Sequence, residues 1–301
     1  MSSLRLSRDL PTLDRPVLVA AFEGWNDAGE AATGAVLAVS DAVQATPLAD
    51  IDPEEFFDFQ VNRPVVRWEG EERVLDWPAT TISWGRARDA DGQPIGRDIV
   101  LLRGHEPNLR WRTFTETILG LAHDLNVERV VTLGALQVDV PHTRPVPLTG
   151  ASTDMDIEEE HGLRRSGYEG PTGIVGVLHN AATAAGFQAV TLWVGVPHYL
   201  AGTQYAKASL ALAERVARLC DAALDLTDVA DEAQGQDEDI AELVAEDEEL
   251  ASYVGDLEDR VDAEYDADAG ATATDQLPRP PVSGDQIAAE FEQYLQERNS
   301  E

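Results

Sequence analysis

Lysine is nearly missing from this chain: Lys207 is the only one, and the other 21 basic residues are arginine. Schiff-base catalysis and lysine-dependent clamping of nucleotide phosphates would have to use that one side chain, which sits inside a helical pattern. No Gly-Lys-Ser/Thr triplet occurs, so a Walker loop is absent. Cysteine is as scarce. A single Cys220 excludes an intramolecular disulfide and leaves a thiolate zinc site without a second sulfur, which fits a reducing cytoplasm. Positive charge is outnumbered, with 22 basic against 56 acidic residues and a net charge of -34, and that balance opposes binding to phosphate backbones or anionic lipid. No apolar signal core precedes Asp9 and Asp14, so secretion is not expected. Gly170 to Ala206 lacks any Asp, Glu, Lys or Arg, but Pro171, Gly186, Gln188, Pro197 and His198 break it into pieces too short to cross a bilayer. It reads as the buried centre of a soluble domain.

What is present alternates. Short unbroken apolar runs at Pro16 to Phe22, Ile99 to Leu102, Val130 to Leu136 and Ala189 to Val196 are separated by helical patterns at Asp27 to Gln44, Arg110 to Asn126, Gly173 to Ala185 and Gln204 to Leu224. That order predicts an α/β fold whose mostly parallel sheet is covered by helices on both faces, a three-layer arrangement. Between the first helix and the Ile99 strand, Trp68, Trp77 and Trp84 punctuate short alternating strands, an antiparallel meander at the sheet edge that either packs inward or offers a face to a partner or subunit.

Charge divides the chain. Asp228 to Glu301 holds 24 acidic and 3 basic residues, so residues 1–226 are expected to form the α/β domain and residues 227–301 an acidic helical extension. Leu243, Leu250, Val254, Leu257, Val261 and Tyr265 recur at heptad-like spacing interrupted by Asp247, a helix with one apolar stripe, and Ile287, Phe291, Tyr294 and Leu295 make a second stripe beyond the linker around Pro278, Pro280 and Pro281. Either stripe can fold back on its own domain or dock on a partner.

Candidate ligand-binding residues gather where strands end. Phe22 leads through Glu23, Gly24 and Trp25 to Asn26 or Asp27 as a helix cap, a strand-turn-helix that places backbone N–H groups and a helix dipole at the carboxyl edge of the sheet. It is not a GxGxxG loop, and Glu23 and Asp27 would repel an anion. Two later strands share an ending, Val140-Pro141-His142 and Val196-Pro197-His198, which should bring both histidines out at the edge where open α/β sheets bind ligands. Arg144 and Thr149 follow the first of them. The candidate crevice is thus Glu23, Asn26, Asp27, His142, Arg144, Thr149 and His198. No HExxH or facial-triad spacing occurs, and Gly150 to Asp154 lacks the second glycine of a nucleophile elbow, so no metal, cofactor or serine nucleophile is expected.

Four stretches taken together resemble the proteasome assembly chaperone family in its longer bacterial branch: PVLVAAFEGWNDAGEAAT from Pro16, DIVLLRGHEPNLRW from Asp98, VVTLGALQVDVPHTRP from Val130 and LWVGVPHY from Leu192. The resemblance implies a three-layer fold related to nucleoside phosphorylase and hydrolase-like proteins, a homo-oligomer, commonly a trimer, and a non-catalytic chaperone or scaffold role with proteasome subunits as partners. The family has also been labelled a predicted ATP-grasp carboligase, a label that the single lysine opposes. The alternative is an enzyme acting on a small anionic or nucleoside-like substrate, in which Asn26 positions an oxygen, Arg144 pairs with an anion and His142 or His198 moves a proton.

Overall fold

The apolar run at the first expected strand is buried along its whole length because it faces two cores at once. In β2 (Val17–Glu23), Val17, Val19 and Ala21 point into one core while Leu18, Ala20 and Phe22 point into the other. β7 (Pro94–His105) repeats the pattern with Ile99 and Leu101 against Val100 and Leu102. A strand whose alternate residues are all apolar can be stable only between two covering layers. β8 (Arg129–Val138) and β10 (Gln188–Pro197) complete a parallel centre in the order β7-β2-β8-β10.

Antiparallel strands extend that centre at both edges. β6 (Thr80–Arg88) pairs with β7, β3 (Thr46–Ile51) with β6 and β1 (Leu4–Leu6) with β3, while β9 (Leu148–Ser152) closes the other side against β10. The mixed eight-stranded sheet therefore runs β1-β3-β6-β7-β2-β8-β10-β9. The computed structural model describes residues 3–89, 91–163 and 169–269.

The first core lies under α1 (Ala31–Ala42) and α5 (Ala206–Leu219), the second under α2 (Trp111–Asp124) and α4 (Ile174–Ala184). α1 is built almost wholly of small residues, which allows close approach to α5: a Cβ on Gly34 would stand 2.5 Å from the Ser209 hydroxyl. The short α3 (Met155–Glu160) begins at Asp154, whose carboxylate accepts from the Asp156 N–H.

The tryptophan-rich meander divides. β4 (Val65–Glu69) and β5 (Glu72–Asp76) pair only with each other, whereas the Trp84 strand, β6, joins the main sheet and packs its ring against the second core. The hairpin is rooted by Trp77, whose ring meets Phe59 edge-on at 4.9 Å.

The acidic segment forms α6 (Thr227–Glu246) and α7 (Glu248–Ala269). The interruption of the heptad-like stripe at Asp247 is the break between the two helices, where Asp247 is extended (φ -121°, ψ 106°). Leu243 is exposed; Ala233, Ile240 and Val244 face inward on α6, and Val254 and Leu257 do so on α7. The second expected stripe, Ile287 to Leu295, lies outside the described residues.

Candidate functional site

α1 follows β2 on one face of the sheet and α2 follows the adjacent, parallel β7 on the other, so the carboxyl ends of β2 and β7 form a topological switch point, the edge at which open α/β sheets bind ligands. Register puts Glu23 beside His105 there. The Glu23 carboxylate lies 2.9 Å from His105 Nδ1 and 3.7 Å from the Arg103 guanidinium. The bond to His105 holds the Glu23 carboxyl below its ordinary range against the opposing effect of burial, and the neighbouring positive charge adds to the lowering. A carboxylate orienting an imidazole is half of a base-activation device. The next group in line is a cation, not a nucleophile.

The turn after β2 needs Gly24, whose φ of 126° suits glycine alone, and it delivers Asn26 and Asp27 into buried positions. Asn26 Nδ2 donates to Glu106 Oε1 at 3.2 Å, and the same oxygen accepts from the Ile174 N–H at 2.8 Å. Glu106 therefore ties the β2 turn, the end of β7 and the first turn of α4 together. Its burial raises the carboxyl above the ordinary value, with the two hydrogen bonds pulling the other way. Only a glycine lets α4 start so close: a Cβ on Gly173 would fall 2.0 Å from Asn26 Nδ2. Asp27 accepts from the N–H groups of Ala32 (2.8 Å) and Thr33 (3.2 Å) and from the Thr33 hydroxyl, so it caps the start of α1 from inside the protein. Burial raises its carboxyl as well.

His142, Arg144 and Tyr199 make a second, separate cluster beyond β8 and β10. The Tyr199 hydroxyl accepts from the His142 backbone N–H and meets His142 Nδ1, each at 2.7 Å, while Lys207 Nζ donates to the His142 carbonyl at 2.5 Å and to Asp237 at 2.7 Å. Burial lowers the His142 imidazole below its ordinary value and raises the Tyr199 phenol to about 12. Arg144 does meet anions, but they belong to α7: Asp262 takes two hydrogen bonds at 2.7 Å and Glu258 one at 3.4 Å.

The seven candidate residues divide by the contacts they make. Glu23, Asn26 and Asp27 lie at the β2 end, and His142 and Arg144 lie under the acidic helix. His198 follows β10 as expected but is exposed, and its neighbour Tyr199 makes the contact to His142 instead. Thr149 sits within the edge strand β9 opposite Trp193, short of the carboxyl edge. Among the described residues no three His, Cys, Asp or Glu side chains converge as a metal ion would require. Residue patterns alone overlooked Arg103, His105, Glu106 and Tyr199. Their signal was positional: Arg103 to Glu106 end a strand parallel to β2, so they share the edge that Glu23 occupies.

The PAC2 family model matches residues 21–244, most of the chain. The chain belongs to the PAC2 family. A PAC2 family protein from Streptomyces avermitilis is 46% identical over 79% of this chain and 99% of its own, with a TM-score of 0.72. A proteasome-assembly chaperone homologue from Mycobacterium tuberculosis is 47% identical with the same coverage and a TM-score of 0.70. A second Mycobacterium tuberculosis protein, of unknown function, is 30% identical over 89% of this chain and 92% of its own, with a TM-score of 0.80. Comparison with curated proteins returns no match. The PAC2 likeness takes in the two carboxyl-edge clusters and most of α6.

Proposed function

We propose that this PAC2 protein is a non-catalytic, chaperone-like scaffold of the cytoplasm that self-associates and holds other proteins, proteasome subunits among them, during assembly. The observation that carries this reading is the β4–β5 hairpin. Val66, Trp68 and Leu75 share one of its faces and are 42%, 68% and 52% exposed, while Arg67 pairs with Glu69 and Asp76 on the other. A strand pair that stands off the main sheet with Val66, Leu75 and a tryptophan exposed on the face they share with Arg73 has the anatomy of an interface core, where aromatic and arginine anchors dominate the energy. The 47% identity to a proteasome-assembly chaperone homologue supports the same role. The polar groups at the carboxyl edge support it in a different way: Asp27, Asn26 and Glu106 are spent on capping and clamping, and Arg144 on an intramolecular pair. No described helix is long and apolar enough to cross a membrane.

Light scattering on the full chain tests self-association, and a tagged pull-down tests capture of other proteins. The triple variant Val66→Ser, Trp68→Ser, Leu75→Ser should keep the wild-type melting curve and lose both. A monomeric wild-type protein that recovers no partner, or a triple variant that associates as before, would sink the hairpin reading.

A further inference from the structure

α7 rests on the α/β domain without belonging to either of its cores. Val254 and Leu257 are buried, yet neither joins the two clusters on the faces of the sheet. Beside them, the aromatic and polar groups of α7 meet a small ledge made by Asp139, Thr143 and Arg144, after β8, and by Tyr199, after β10. The contacts run along one side of the helix. Tyr253 meets the Tyr199 ring edge-on at 6.2 Å and donates its hydroxyl to Asp139 at 3.3 Å; Glu258 accepts from Thr143, and Asp262 takes both hydrogen bonds of the Arg144 fork. Counted from Val254, the aliphatics stand at i and i+3 and the carboxylates at i+4 and i+8, one face of an α-helix.

The ledge is tied together by hydrogen bonds that do not involve α7. His142 fixes the Tyr199 hydroxyl through its backbone N–H and ring, and Lys207 fixes the His142 carbonyl, all within the domain and α5. The helix, by contrast, is weakly tethered. It joins α6 through the one extended residue Asp247, and Glu248 to Ala269 carry nine acidic residues and one arginine, which repel one another. Its ion pairs are half-exposed or exposed, the class that contributes least. An aromatic seat with a cation at its far end, covered by a helix that joins α6 through one extended residue and carries its own excess of negative charge, has the form of a binding surface with a resident ligand.

We propose that this ledge is a docking surface for acidic amphipathic helices of other proteins, with α7 as its occupant in cis, so that a partner helix with aliphatics at i and i+3 and carboxylates at i+4 and i+8 competes with α7 for Tyr199 and Arg144. The site is distinct from the β4–β5 hairpin and does not depend on it.

The test uses the full chain opened by Glu258→Arg and Asp262→Arg, two surface changes that repel Arg144, and a fluorescent peptide of residues 248–263 followed by anisotropy. The peptide should bind the opened chain roughly tenfold more tightly than the wild type, where α7 competes, and added Arg144→Glu should weaken it by about the same factor. A peptide with the two reversed charges should bind the chain carrying Arg144→Glu instead. Within one chain, the combination Arg144→Glu, Glu258→Arg, Asp262→Arg should restore the hydrogen-exchange protection of α7 that either half removes. The hairpin triple variant should leave peptide binding unchanged. Absence of peptide binding to an opened chain that still melts cooperatively, or binding indifferent to residue 144, overturns the proposal.

Discussion

At the scale of single residues, the polar groups at the carboxyl edge are organised to finish helices and fix turns. Asp27 receives three donors, two backbone N–H groups and the Thr33 hydroxyl, in a buried setting. Asp27→Ala leaves all three unsatisfied, so urea titration should show a loss of about 2 to 3 kcal/mol, more than an exposed cap costs. Asp27→Asn should recover most of that. The histidines set a pH dependence. Burial holds His142, His161 and His179 below the ordinary value of 6.5. The unfolded chain then binds more protons than the folded one as pH falls through that value, so stability is full above about pH 7 and declines on acidification towards the lowered folded values. Melting temperature recorded between pH 7.5 and 5.5 should fall, and a flat profile would contradict the lowering at the buried His142 and the half-buried His161 and His179. Asp27 and Glu106, raised by burial, act with the opposite sign at lower pH, through the carboxylate range. Asp27 as a cap was legible in the sequence because Asp after a Gly-Trp-Asn turn and before a small-residue helix has few other uses. Glu106 was not, since its meaning comes from the Ile174 N–H, 68 residues further on.

Among the elements, the hydrophobic period was a dependable guide wherever a strand is buried on both sides. β2, β8 and β10 fall within one or two residues of their apolar runs, and α1, α2, α4 and α5 lie inside their expected spans. The antiparallel edges escaped in part, because β3 (TPLADI) and β9 (LTGAS) mix polar and small residues and owe their pairing to neighbours. The acidic stripe is interrupted at Asp247 in the sequence, and the structure shows why: Asp247 separates two helices and caps α7 by accepting from the Glu249 and Leu250 N–H groups. The α1–α5 contact makes a sharp prediction. Gly34 faces Ser209 so closely that Gly34→Val has no room, and the helices must separate at a cost of about 1 to 3 kcal/mol. Gly34→Val combined with Ser209→Gly should recover part of the loss in thermal melts, and an additive double variant would show that the two positions do not meet.

Over the whole molecule, charge and packing pull the acidic segment in different directions. Residues 228–301 carry 24 acidic against 3 basic residues, and 18 of the 21 arginines precede them, a distribution that would allow an arginine-rich face beneath the tail. Instead, Lys207 and Arg144 are the two domain cations whose ion pairs reach described tail residues, and burial of Ile240, Val254 and Leu257 supplies the rest of the attachment. α6 and α7 should therefore respond differently to salt. α6 inserts Ile240 into the first core and Gln236 bridges the start of α5, contacts that screening does not weaken. α7 depends more on the Arg144 fork, whose attraction at the surface is damped over a Debye length of roughly 8 Å at physiological ionic strength. Arg260 offers a direct probe, being the only lysine or arginine in α7 and a trypsin site that can be cut only when the helix opens locally. Raising salt from about 50 to 500 mM should speed the cut at Arg260 several-fold after correction for trypsin's own salt response. Arg144→Ala should be fast already at low salt and lose most of the dependence. The domain that remains should melt cooperatively with α6 still attached, because the core that α6 joins is untouched by the cut. If cleavage at Arg260 abolishes that transition, the energy lies in Val254 and Leu257 and α7 is part of the folding unit; if Arg144→Ala leaves the rate unchanged, those two side chains hold the helix without the ion pair.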